Sequence, residues 1–178
     1  MIKDKNNYLE LYSSKINLLV QQHDVNFEKF CKKLKSFRNK KIIICGNGGS
    51  SSIASHFATD ISKFLEKKCI TFSDHNLITC FANDYGYENW TTEALKLYSN
   101  PGDLIILISS SGKSKNIVNA ANFVKRNKNT LITFSGFKKN NSLNKLGDIN
   151  FWVDSTSYNH IEMTHHILLV AAIDRLAV

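Results

Sequence analysis

The sequence predicts an α/β fold, a three-layer α/β/α sandwich built on a parallel sheet. Three observations carry this. Short aliphatic runs alternate with stretches of helical spacing from residue 37 onward. The runs are apolar throughout rather than alternating with polar residues, as strands covered on both faces are. Two of them, at 42–45 and 104–108, lead straight into turns rich in glycine and serine. Open parallel sheets bind ligands beyond the carboxyl ends of their strands, where both turns would then lie.

Along the chain, Leu9, Tyr12, Ile16, Leu19, Val20, His23, Phe27, Phe30 and Leu34 recur at spacings of three and four. They predict one long helix or two shorter ones over 8–35. Residues 42–45 read as a buried strand and 51–64 as a helix with Ile53, Phe57 and Ile61 on one stripe. A short strand is expected at 68–72, and helices at 77–82 and 90–97. Between those helices Asn83-Asp84-Tyr85-Gly86 reads as a polar loop. The second core strand, 104–108, follows an Asn-Pro-Gly-Asp turn that holds the single proline, Pro101. A helix at 116–125, a strand at 130–134, a short helix at 143–146 and a strand at 149–153 come next. An apolar helix at 161–176 closes the chain. The whole of 1–178 reads as one domain, with 1–36 a helical segment ahead of an α/β core over 37–178.

Of the 178 residues, 43% are hydrophobic and 21% charged, which argues against disorder. The net charge of +8 is spread over scattered pairs such as Lys32-Lys33 and Lys67-Lys68, so no tract points to nucleic acid. No window approaches the roughly 18 apolar residues of a membrane span, and the polar stretch 1–10 has no secretory pattern. The four cysteines contain no CxxC pair. A cytoplasmic protein with reduced, mostly core cysteines is expected.

The first turn is Gly46-Asn47-Gly48-Gly49-Ser50-Ser51-Ser52. Glycines let the backbone approach a ligand closely and present free N–H groups at a helix N-terminus, where the dipole favours an anion. The second is Ser109-Ser110-Ser111-Gly112-Lys113-Ser114. The first turn is not a dinucleotide fingerprint and lacks the GK[ST] ending of a P-loop, and no organic cofactor is expected. Neutral hydroxyl and amide donors suit the phosphate of a small phosphorylated molecule.

The segments ICGNGGSSSIASHFATDIS, FANDYGY, PGDLIILISSSGKSKNIVNAA, LITFSGF and IEMTHHILLVAAID occur in that order between residues 42 and 174. They resemble the sugar isomerase (SIS) domain, specifically the phosphoheptose isomerase family. The resemblance implies a flavodoxin-like, five-stranded parallel sheet and a homotetramer with sites at subunit interfaces. It implies isomerisation of sedoheptulose 7-phosphate to a manno-heptose 7-phosphate for bacterial surface polysaccharide. It puts the sugar near Asn47, Gly48, Gly49 and Ser50 and near Asn83 and Asp84. It puts the phosphate on Ser109, Ser110, Ser111 and Ser114.

The family uses a glutamate four residues after the histidine of HFA as base and a histidine of the last helix as acid. Some members bind zinc through these two histidines, that glutamate and a glutamine. Here His56 is kept, but Asp60 stands at the glutamate position, Glu162 at the glutamine position and Val170 at the acid histidine position. Valine transfers no proton. Glu162, His165 and His166 have helical spacing, and His166 lies one turn before Val170. The catalytic candidates are therefore Asp60, His166, Glu162 and His165. Glu162 also counts among the substrate contacts. His56, Asp60, Glu162 and His166 are the candidate set for a divalent metal such as Zn²⁺. An enzyme is the first reading. A non-catalytic sugar-phosphate-binding module acting as a regulator is the second.

Overall fold

A computed structural model describes residues 7–178, so part of the polar stretch 1–10 lies outside the described residues. The helical stripe at the start is two helices, α1 (Tyr8–Gln21) and α2 (Asp24–Ser36). Five strands follow in an alternating order: β1 (Ile42–Cys45), β2 (Cys69–Thr71), β3 (Leu104–Ser109), β4 (Thr130–Ser135) and β5 (Ile149–Trp152). The helices between them are α3 (Gly49–Leu65), α4 (His75–Tyr85), α5 (Trp90–Tyr98) and α6 (Lys115–Arg126), and α7 (Tyr158–Ala177) closes the chain. A 3₁₀ turn spans Leu143–Lys145.

All four strand pairings are parallel, in the order β2-β1-β3-β4-β5. This is the flavodoxin-like order, whose switch point lies between β1 and β3. Successive side chains of β1 serve opposite faces. Ile42 and Ile44 join Phe30, Leu34, Phe57, Ile61, Leu169 and Ile173 of α2, α3 and α7 in one core. Ile43 and Cys45 join Trp90, Leu95, Ile117 and Val124 of α5 and α6 in the other. Because both faces are covered, every residue of β1 and β3 is buried. Phe30 anchors the first core, its ring 5.7 Å from Phe151 and 6.1 Å from Phe134. Cys31, Cys45 and Cys69 are buried and Cys80 is exposed, all as free thiols.

One expected loop is a helix. Asn83, Asp84 and Tyr85 continue α4, which stops at Gly86 (φ 82°), where the Gly86 N–H donates to the Ala82 carbonyl at 3.0 Å. Asp74 caps its first turn by accepting from the Leu77 N–H at 3.0 Å. Leu77, Ile78, Phe81 and Ala82 pack on the second core, and that burial outweighs the turn preference of Asn and Asp.

The expected Asn-Pro-Gly-Asp turn is held by Asp103, which is 1% exposed. Its carboxylate accepts from the Lys41 N–H at 3.0 Å and the Asn100 N–H at 2.7 Å, with the Lys41 ammonium at 3.1 Å. It thereby pins the entry of β3 to the entry of β1. Asp103→Ala strands two backbone donors and should cost about 2–4 kcal/mol, read from the urea midpoint.

His165 is a correction. It is fully buried in the first core beside the Phe134 ring, 5.4 Å away, and its Nε2–H donates to the Ser135 carbonyl at 3.1 Å. Burial pushes its pKa down to about 3, against a smaller upward pull from the Ser135 carbonyl. It is a packing residue away from any cleft, not a catalytic one. Unfolded, its imidazole gains a proton below about pH 6.5, whereas the folded one does not. Stability should therefore fall as pH drops from 6.5 toward 3. Between pH 7 and pH 5 the wild type should lose about 2 kcal/mol more than His165→Gln in urea titrations.

Candidate active site

β1 and β3 lie side by side with Cys45 opposite Leu107, so the turns that follow them emerge together. In the first turn Gly48 is left-handed (φ 54°), a conformation that glycine takes without steric cost. Gly46 has no room for a side chain, since a Cβ there would lie 2.8 Å from the backbone of Ser50. Asn47 is locked by a reciprocal pair of hydrogen bonds with Asn116 of α6, both 2.9 Å. Asn116 also donates to Thr91 at 2.9 Å, so a buried amide ties the glycine turn to α5 and α6.

The second turn is built on Ser109. Its hydroxyl donates to Ser114 Oγ at 3.0 Å, and its carbonyl accepts from the Gly112 N–H at 2.8 Å. Gly112 is left-handed (φ 65°) and packs on the Asn141 side chain, which leaves no space for a Cβ. The two turns meet through Ser50 and Ser110, whose hydroxyls are 3.5 Å apart. Glu162 of α7 joins them. Its Oε1 accepts from Ser110 Oγ at 3.2 Å, and its carboxyl carbon lies 3.1 Å from where a Cβ on Gly49 would stand. A carboxylate at the first turn of α3 is favoured by the helix dipole.

These groups enclose a cavity of about 130 Å³ lined by Asn47, Ser50, Ile108, Ser109, Ser110, Ser111, Ser114, Tyr158 and Glu162. Six of the nine come from the two turns singled out in the sequence, and Ile108 belongs to the strand before the second turn. Tyr158, the first residue of α7, comes from neither turn, nor does the supporting Asn116. The Tyr158 ring is braced by Phe137, 5.0 Å away. Neither residue has a periodic or motif signal, because their role depends on where helices start in space.

Asn83 and Asp84 stay outside this cavity. They sit exposed at the end of α4, where Asn83 donates to Asp84 at 2.9 Å.

Farther along α3, its seam with α7 holds a second group. His56 Nδ1 is 2.8 Å from His166 Nε2, with the rings edge to face at 5.0 Å. His56 Nε2 is 3.0 Å from Asp60 Oδ2. The seven residue steps from Gly49 to His56 span about 10 Å of helix. Burial pushes the His166 pKa down, the neighbouring His56 adds to this, and Asp60 opposes it. Glu162, His166 and Val170 fall on one partly buried stripe of α7.

The four side chains expected to hold a divalent metal do not form one donor set. Asp60 and His166 approach opposite nitrogens of the His56 ring, so their donor atoms do not converge. Glu162 is engaged with the serine turn instead. Among the described residues no group of three or more His, Cys, Asp or Glu is placed to hold a metal ion.

The SIS domain profile matches residues 28–136. A phosphoheptose isomerase of Buchnera aphidicola is 33% identical over 150 residues, covering 76% of each chain. The phosphoheptose isomerase of Fusobacterium nucleatum is 32% identical over 149 residues, covering 80% of this chain and 76% of its own. The solved phosphoheptose isomerase of Neisseria gonorrhoeae superposes with a TM-score of 0.87 over 95% of this chain and 94% of its own, at 23% identity. From the matched profile and these relatives together, the chain belongs to the phosphoheptose isomerase family of SIS-domain proteins.

Proposed function

We propose that this protein is a sugar-phosphate aldose–ketose isomerase. Its substrate is sedoheptulose 7-phosphate and its product D-glycero-D-manno-heptose 7-phosphate, a precursor of bacterial surface polysaccharide. The observation that carries this is the placing of two unlike groups along one helix. A hydroxyl-lined cavity opens at the start of α3, and an ionisable cluster lies about 10 Å farther on. A long-chain sugar phosphate has the same two ends, an ester to be held and a C1–C2 pair to be isomerised.

The phosphate is assigned to Ser109, Ser110, Ser111 and Ser114, at the N-terminus of α6, where backbone N–H groups and the helix dipole favour negative charge. Asn47, Ser50 and the amides of Gly48 and Gly49 face the polyol. Glu162 lies at the phosphate end, so we assign it to accepting sugar hydroxyls rather than to the carbon chemistry. The reacting end falls to Asp60, His56 and His166. Asn83 and Asp84, away from the cavity of their own subunit, would reach sugar only across a subunit boundary.

A homotetramer is part of the same reading. Its support is a cavity of about 460 Å³ on the outer face of α1 and α7, lined by Tyr12, Ile16, Val20, Met163 and Ile167. Met163 and Ile167 are exposed apolar residues of the kind a partner covers. No described helix is long and apolar enough to cross a membrane, which is in keeping with a cytoplasmic enzyme.

Purified protein given sedoheptulose 7-phosphate should produce the aldose heptose 7-phosphate, followed by product-resolved chromatography. Saturable binding of the ketose phosphate without turnover would point instead to the regulatory binding module. The serine turn has its own test. Ser109→Ala with Ser111→Ala should weaken phosphorylated sugars about 100-fold and leave free sedoheptulose unchanged in calorimetry, since hydrogen bonds to a charged group are worth about 1.5–3 kcal/mol each. Equal losses for both ligands would show that the phosphate sits elsewhere.

A further inference from the structure

We infer that Asp60, His56 and His166 form a hydrogen-bonded relay with fixed tautomers, which makes Nδ1 of His166 the atom that carries the proton between the sugar carbons. This rests on the isomerase reading and goes beyond it. The group takes over from the histidine that the family places at the Val170 position, and it gives Asp60 a role other than that of base.

The tautomers follow from donor and acceptor counting. An ionised carboxylate only accepts, so at 3.0 Å the proton lies on His56 Nε2. A neutral imidazole has one N–H, which leaves Nδ1 of His56 as a lone pair. The 2.8 Å contact then requires the proton on His166 Nε2. That leaves the lone pair of His166 on Nδ1. This atom has no hydrogen-bond partner among the described residues and is not a buried orphan. It is the one nitrogen of the pair free to meet a substrate. The same counting explains why these side chains are not a metal's donor set: they are strung in line through the His56 ring.

The chemistry balances without a co-reactant. With the ketose bound, His166 Nδ1 takes the proton from C1. The C1–H electrons form the C1=C2 bond, and the carbonyl pair moves to O2, giving the enediolate. The His166 imidazolium is stabilised through His56 by the Asp60 carboxylate, as a carboxylate stabilises an imidazolium in a serine hydrolase. Nδ1–H then returns the proton to C2. The proton of O1 passes to O2 across the two neighbouring oxygens, and C1 becomes the aldehyde. His166 is the catalytic residue here, and His56 and Asp60 are positioning residues.

The test uses the full chain with ¹⁵N-labelled histidine. Two-bond ¹H–¹⁵N correlation reads the tautomers, and steady-state kinetics with sedoheptulose 7-phosphate reads turnover. In the wild type, His56 and His166 should both be Nε2–H tautomers. Asp60→Asn offers His56 a donor as well as an acceptor. It should shift both rings toward Nδ1–H and lower kcat about 100-fold with KM within about threefold, in the range of a positioned acid–base group. Asp60→Glu should recover part of kcat and the wild-type tautomers. His166→Ala should lose at least as much kcat as Asp60→Asn. Unchanged tautomers and unchanged kcat in Asp60→Asn would overturn the relay and leave the isomerase reading standing. No turnover in the wild type, with the tautomers as stated, would sink the isomerase reading and leave the hydrogen-bonded unit. Turnover lost in chelator and restored by Zn²⁺, with the His166 signals shifted by the ion, would replace the relay by a metal centre.

Discussion

The parallel pairing of β1 with β3 is the constraint on which the site depends. Cys45 opposite Leu107 fixes how far each strand runs before its turn begins. A slip of one residue would turn every side chain of β1 to the wrong face, exchanging the two cores that Ile42 and Ile43 serve. Burial of both faces therefore sets the register, and the register sets the 3.5 Å approach of Ser50 to Ser110. The cavity does not need its own stabilising contacts to be placed. It inherits its position from the sheet, and the Asn47–Asn116 pair only trims it.

The second constraint is the packing of α3 against α7. Both helices begin at the carboxyl ends of strands, so polar side chains at matching depths meet. Gly49 faces Glu162 at the rim, and the exposed His56 faces His166 farther along the two helices. Below the seam, Phe57 and Ile61 of α3 and Leu169 and Ile173 of α7 are buried in one core. Apolar burial on the inner stripes keeps the seam closed and leaves the outer stripes free to carry charge. This division of labour is why polar groups can be concentrated along the seam without weakening the fold.

How much of this was legible in the sequence follows from which signals are local. Strand-then-glycine at Cys45-Gly46 and strand-then-serine at Ile108-Ser109 are local, and both turns are where they were read. The stripe Ile53, Phe57, Ile61 is local too, and all three residues are buried in the first core. Whether Asn83 and Asp84 sit in a loop is not local: their neighbours Phe81 and Ala82 are drawn into the second core, and the helix extends through them. The choice between His165 and His166 is also tertiary. Adjacent helical residues differ by about 100° in direction, and His165 is the one that faces the core, against the Phe134 ring and the Ser135 carbonyl. Tyr158 reaches the cavity because α7 starts three residues ahead of the expected 161, a boundary set by Ser157, whose hydroxyl accepts from the His160 N–H.

The three departures from the family pattern are linked by geometry. In the relay proposed above, Val170 carries no proton and His166 takes that part. His166 lies one turn earlier on the α7 stripe, and a histidine there is useful only if its ring is oriented. His56 supplies the orientation, and His56 in turn needs an acceptor to fix its tautomer. Asp60, at i+4 on the same helix face, is placed to be that acceptor. In that relay a carboxylate committed to His56 Nε2 is not free to take a proton from carbon, so the aspartate is assigned to positioning and not to the part of a base. Glu162 completes the pattern at the other end: a charged side chain in place of a neutral amide is tolerated because Ser110 and the first turn of α3 receive it. On that reading the departures form one coordinated rearrangement along a single seam, the α3–α7 contact that brings His56 to His166.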